Sequence, residues 1–224
     1  MGLQWSAMDR STNGEQSCRF CARLSSPEAG SGAIEQTALL ESDEFVAWPS
    51  LGALVEGWVL AVTKAHHLSM RDLERDARRR FLDFTRATAR AVEAGHGPVA
   101  LVEHGPVECG SPPGCGVDHA HVHVIPWSRP LRPRVTELCP EIEWRPVPDV
   151  ADFAESTDAA APYLLLSTPG DGMLVGTAPA LPSQLVRRAI AAELGDPDGF
   201  DWKADPRLDV VRATVDSLSA AALV

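Results

Sequence analysis

No stretch of this chain is apolar for long enough to cross a membrane. The longest candidate, Phe45 to Ala65, is interrupted by Pro49, Gly52, Glu56 and Gly57, whereas a spanning helix needs about 20 mostly apolar residues in a row. The leading segment, with Asp9, Arg10, Asn13, Glu15 and Gln16, has neither the basic start nor the apolar run of a signal peptide, so a cytoplasmic location is expected. Positive charge is also scarce: 20 Lys+Arg stand against 31 Asp+Glu, a formal charge of −11. A field of that sign repels phosphate backbones and anionic headgroups, which argues against bulk nucleic-acid or membrane-surface partners but leaves room for a local basic pocket. A full set of paired cysteines is lacking too, because the five at Cys18, Cys21, Cys109, Cys115 and Cys139 cannot all pair and a reducing cytosol opposes disulfides. Internal repeats are absent. What is present is an ordinary globular composition, 45% hydrophobic and 23% charged over 224 residues, enough for one domain with a sizeable extension.

Residues 1–17 are small and polar and read as a loose leader. The pattern TALLESDEFVAW at 37–48 reads as two short strands around Ser42-Asp43, and GWVLAVTKA at 57–65 as a third. From Asp72 to Glu93 neither Gly nor Pro occurs, and Leu73, Ala77, Phe81, Phe84, Thr88 and Val92 recur every three or four residues, which predicts an amphipathic helix over 72–94 capped by Ser69 and ended by Gly95. PVALVEHG at 98–105 and DHAHVHVIP at 118–126 are strands on either side of the turn-rich loop ECGSPPGCG. Beyond 127, five prolines up to Pro148 argue against long regular elements. A strand at Tyr163–Ser167, a helix from Ser183 to about Leu194 closed by Gly195, and a helix over Asp209–Leu218 complete the reading.

Histidines 119, 121 and 123 alternate with Ala120 and Val122. A strand repeats every two residues, so the three imidazoles share one face, and each can serve as ligand, nucleophile or acid near neutral pH. Cys18-Arg19-Phe20-Cys21 is a Cys-x-x-Cys knuckle, which by itself is compatible with redox chemistry, metal binding or no role.

HAHVHVI at 119–125 resembles the signature of the histidine-triad (HIT) family, and Lys64-Ala65-His66-His67-Leu68-Ser69 resembles the family's Lys-x-His-x-x-Ser-like segment. The likeness covers about residues 18–127. It implies an α+β fold, an antiparallel sheet of about five strands with the 72–94 helix on one face; a C-terminal extension over 128–224 follows, and the basic helix start within it, in a chain otherwise short of cations, is expected to contribute to the substrate pocket. It also implies a nucleotide hydrolase or nucleotidyltransferase, and a homodimer. In such proteins the middle histidine attacks the α-phosphorus; by position that is His121, forming a nucleotidyl-imidazole intermediate. His123 would contact phosphate oxygens or protonate the leaving group. Relatives that pair a knuckle with the early and first triad histidines point to a structural zinc held by Cys18, Cys21, His66 and His119, with His67 the rival for His66; a Cys2His2 shell leaves no open position for water.

The chain departs from the family on either side of the loop. Where common members carry Asn-x-Gly, it has Glu103-His104-Gly105, and where they carry Gln-Ser or Gln-Thr before the triad, it has Cys115-Gly116-Val117-Asp118. Gly114 and Gly116 still offer backbone N–H groups to phosphate, and His104 is the candidate for a polar role, the plain alternative being a water-exposed loop histidine. Gln184, Arg187 and Arg188, at an expected helix start, are the candidate phosphate-binding side chains of the extension. Two other classes stand as alternatives: a non-catalytic nucleotide-binding module, and a redox protein using Cys18 and Cys21.

Overall fold

The computed structural model describes residues 18–25, 33–110 and 116–221. Its strands are β1 (Leu40–Glu41), β2 (Phe45–Pro49), β3 (Val59–Thr63), β4 (Val99–Gly105), β5 (His121–Pro126), β6 (Glu143–Pro146), β7 (Tyr163–Thr168) and β8 (Gly172–Thr177). They form one sheet in the order β1-β2-β3-β5-β4-β7-β8-β6, with every neighbouring pair antiparallel. Five strands lie before residue 127 and three after it, so the expected count of about five is corrected to eight. The extension joins the sheet through β7, which pairs with β4 from Leu101↔Ser167 to Gly105↔Tyr163. Both edges of β4 are thereby taken, by β5 and β7.

Side-chain alternation sends the sheet's residues to two layers. One layer, with Phe45, Ala61, Val122 and Leu165, packs on Phe81 and Leu82 of the helix α2 (Arg75–His96). Towards the end of α2, Ala47, Val59 and Val124 meet Ala89 and Val92, and Leu218 of α5 (Leu208–Ala221) closes that cluster. The other layer, with Val46, Leu60, Val102, Ile125 and Leu164, packs on Val135 of α3 (Arg132–Leu138) and on Leu185, Ala189 and Ile190 of α4 (Leu185–Glu193). The apolar stripe of α2 has the expected period, but the helix starts at Arg75. Ser69 instead caps a separate 3-10 turn over Met70–Asp72, closed by a reciprocal capping box with Asp72. At its other end α2 runs to His96 and stops at Gly97, whose φ of 78° an L side chain rarely adopts.

Gly105 is dictated by packing: a Cβ there would lie 1.8 Å from the Tyr163 ring directly opposite on β7. The cap assigned to Ser183 falls to Gln184, which sits in the left-handed region at φ 57°.

Candidate active site and metal centre

Cys18 opens the short helix α1 (Arg19–Ser25), its carbonyl accepting from Ala22 N–H. One helical turn puts the Cys21 thiol on the same side as that of Cys18. His66 follows β3 and His119 precedes β5, two adjacent strands. The ligand atoms of Cys18, Cys21, His66 and His119 consequently all lie within 4.8 Å of one another. Cys18 Sγ is 3.4 Å from His119 Nδ1. Cys21 Sγ is 3.2 Å from His66 Nδ1 and 3.6 Å from His119 Nδ1. In a tetrahedral zinc site with Zn–S near 2.3 Å and Zn–N near 2.05 Å, the S···N edge is about 3.6 Å. The donor set and its spacing therefore fit a closed four-coordinate ion. His119 Nε2 lies 2.7 Å from the Thr63 carbonyl; donation of its N–H there turns the Nδ1 lone pair towards the sulfurs, the arrangement a metal ligand requires. His67, the rival of His66, uses its own carbonyl to accept from Ala120 N–H.

On β5, His121 and His123 stand opposite Val62 and Leu60 of β3 and point to the layer away from α2. His121 Nδ1 is 2.6 Å from the carbonyl of His119. Donating its proton there leaves the Nε2 lone pair free. His123 Nδ1 accepts from the Trp58 indole N–H at 3.0 Å, which assigns the other ring proton to Nε2. Burial holds these imidazoles neutral. It lowers His121 from its ordinary value, with the positive charge of Arg187 adding to the effect, and it sets His123 well below 6.5. Burial likewise takes His119 to about 4 and His104 to about 3.

His121 and His123 open onto a cleft of about 770 Å³, counting its mouth, whose walls include Arg19, Phe20 and Arg23 from α1 and Trp202 from the extension. The Phe20 ring meets His121 edge-on at 5.4 Å. Trp202 is held there by loop 50–52: a Cβ on Gly52 would be 2.3 Å from Trp202 Cβ, and Gly52 N–H donates to Pro206 O.

The candidate substrate residues separate. Arg187 lines the cleft, but its guanidinium donates to the carbonyls of Gly52 and Leu51 and to Ser50 Oγ. It is a clamp on the cleft loop and a fixed positive charge rather than a free phosphate ligand. Gln184 is buried against Asp201, with Nε2 3.1 Å from Oδ1. Arg188 bonds Ser183 O and lies 3.7 Å over the Phe200 ring. Neither reaches the cleft. His104 is part of β4, 6% exposed, its ring 6.3 Å from that of His123, so it is not a loop histidine in water. Gly114, Cys115 and the leader at 1–17 lie outside the described residues. Gly116 takes a φ of 83°, with the Lys203 side chain beside it. Glu103 faces away from the cleft: it accepts from Met70 N–H and from the Tyr163 hydroxyl at 2.6 Å each.

Arg19, Phe20, Arg23 and Trp202 were not foreseen. A signal for the first three existed, because any residues inside or just after a knuckle that meets His119 must lie against the triad.

The HIT domain model matches residues 31–129. Among solved structures, the chain is similar to a HIT-like protein involved in cell-cycle regulation from Bartonella henselae, at 16% identity over 50% of this chain and 80% of that one, TM-score 0.40. It is also similar to a hypothetical histidine triad nucleotide-binding protein from Sulfolobus tokodaii, at 17% identity, 50% and 71% coverage and TM-score 0.40. A third is a Zn-bound histidine triad family protein from Mycobacterium smegmatis, at 19% identity, 63% and 90% coverage and TM-score 0.39. No curated protein sequence matches. No helix among the described residues is long and apolar enough to cross a membrane. The His-x-His-x-His strand lies near the end of the matched segment, and over residues 31–129 the chain is similar to the histidine-triad (HIT) domain.

Proposed function

We propose that the chain is a nucleotide hydrolase or nucleotidyltransferase that acts at an α-phosphate through His121. The observation that carries this reading is the 2.6 Å contact from His121 Nδ1 to the His119 carbonyl, which presents a neutral Nε2 lone pair to a cleft walled by arginines. Nε2 forms a bond to the α-phosphorus, and the bond from phosphorus to the leaving group breaks, the leaving group taking the electron pair. Water, its proton passing to the leaving-group anion or to solvent, or a second phosphate oxygen then attacks phosphorus, the P–N bond breaks, and the imidazole takes back the electron pair and returns to its starting state. His123 donates its Nε2–H to a phosphate oxygen. Its burial and its Trp58 partner make it a poor carrier of a second proton, so hydrogen bonding suits it better than general acid work. Backbone N–H groups around Gly116 add donors to the same phosphate.

Cys18, Cys21, His66 and His119 are the residues that would hold a structural zinc, which supplies cross-linking rather than catalysis in a closed shell. Through His119 the same cross-link would fix the carbonyl that orients His121. The test is incubation with a panel of nucleoside phosphates and phosphoramidates, read by mass spectrometry for products. Turnover that disappears in His121→Ala, with metal content and melting retained, supports the reading. Nucleotide binding without any product would make the chain a binding module instead.

A further inference from the structure

We propose that the knuckle helix reads the leaving group: Arg19 and Arg23, set beside Arg187, select a substrate that carries a second phosphoryl charge next to the α-phosphate. The inference rests on the α-phosphate reading above and adds to it the class of bond cleaved, a phosphoric anhydride rather than a phosphoramidate or a simple phosphodiester.

Arg19 and Arg23 are four residues apart on α1, so both project from one face, and both line the cleft with His121 and His123. Each guanidinium is laid against an indole. That of Arg19 is 5.0 Å from the Trp202 ring centre and that of Arg23 is 3.6 Å from the Trp48 ring centre. Stacking of this kind orients the donor fork before a ligand arrives and so lowers the ordering cost of binding. Donors remain to be used. Arg23 gives one N–H to the Glu35 carbonyl, while its Nε is buried without a hydrogen-bond partner. Arg19 makes no hydrogen bond or ion pair among the described residues.

Charge matching points the same way. Among the described lining residues the cleft has three guanidiniums and one carboxylate, Glu35, which leaves two net positive charges in a chain whose formal charge is −11. The α-phosphoryl group of an ester or anhydride carries about one negative charge. One phosphoryl group therefore leaves a positive charge unmatched in a partly desolvated cleft, and a second phosphoryl group matches it. Both terminal nitrogens of Arg187 are engaged by loop 50–52, so α1 is the wall that brings further guanidinium donors to that second group.

The experiment is titration calorimetry of the metal-loaded full chain with inorganic pyrophosphate and with orthophosphate, on wild type, Arg19→Ala, Arg23→Ala and His121→Ala. Wild type and His121→Ala should bind pyrophosphate at least tenfold more tightly than orthophosphate. Each arginine variant should lose about tenfold for pyrophosphate, with a smaller change for orthophosphate. Should Arg23→Ala lose metal, Arg19→Ala decides alone. Equal affinities for the two anions, or unchanged pyrophosphate binding by Arg19→Ala, would overturn the proposal even if His121 proved to be the nucleophile. Arginine-dependent pyrophosphate binding in a chain that turns over no nucleotide would instead uphold this site and remove the reaction proposed for His121.

Discussion

Replacing Glu103 by Gln should remove a pH dependence of stability that the fold builds into β4. Glu103 is 1% exposed, and burial raises its carboxyl from 4.5 to about 7 despite hydrogen bonds from Tyr163 and Met70. A carboxyl whose folded-state pKa lies above its unfolded value is a cost when ionised. Stability should therefore be highest below about 4.5, fall as pH rises between about 4.5 and 7, and level off above. The shift corresponds to about 3 kcal/mol at roughly 1.4 kcal/mol per pKa unit. Gln keeps the geometry, since its oxygen can accept from Met70 N–H and its amide can donate to the Tyr163 oxygen. The buried histidines have depressed values, so their contribution is lost as pH falls and has the opposite sign. Subtracting the Glu103→Gln curve from the wild-type curve cancels them. Urea unfolding of both proteins at intervals from pH 5 to 8.5 should show Glu103→Gln gaining on wild type by about 2.5 kcal/mol across that range, most of it between pH 5 and 7. A difference that stays constant with pH would refute the reasoning.

Three further outcomes are expected. Gly105→Ala should destabilise by about 2 kcal/mol or more in thermal unfolding, because the new Cβ would fall 1.8 Å from a buried Tyr163 ring with no room to yield. Cys18→Ser or Cys21→Ser, or exhaustive chelation of wild type, should take bound zinc from about one per chain to none by elemental analysis and lower the melting temperature, since ligand binding is also folding energy in such a site. Arg187→Ala should cost about 2 kcal/mol or more, because carbonyls of the buried loop lose their donors, whereas Arg188→Ala, outside the cleft, should cost less than about 1 kcal/mol by the same assay.

How much the sequence disclosed depended on how local its signals were. The His-x-His-x-His alternation and the stripe along α2 are short-range periodicities, and both the shared orientation of His121 and His123 and the helix face follow from them. The convergence of Cys18, Cys21, His66 and His119 was legible because a knuckle lacking a second knuckle needs two distant partners and the resemblance named them. Strands β6 and β8 were missed for physical reasons. β8 begins and nearly ends on glycine, in the run GMLVGT, and β6 ends on Pro146, which is tolerated because β6 is the sheet's outermost strand. The basic residues at 187–188 looked alike on paper. Only tertiary packing separates them, sending Arg187 to the backbone of loop 50–52 and Arg188 to Phe200.

The most direct measurement is to trap the intermediate. Metal-replete protein is mixed with any turned-over substrate labelled in its α-phosphate, quenched in alkali, where a phosphoramidate bond persists, then digested and sequenced by tandem mass spectrometry. Because His121 Nδ1 is committed to the His119 carbonyl, the nucleotidyl group should appear on the peptide containing His121, and His121→Ala should show neither label nor turnover. Label on a different residue, or turnover by His121→Ala above a few per cent of the wild-type rate, would contradict covalent catalysis at this histidine.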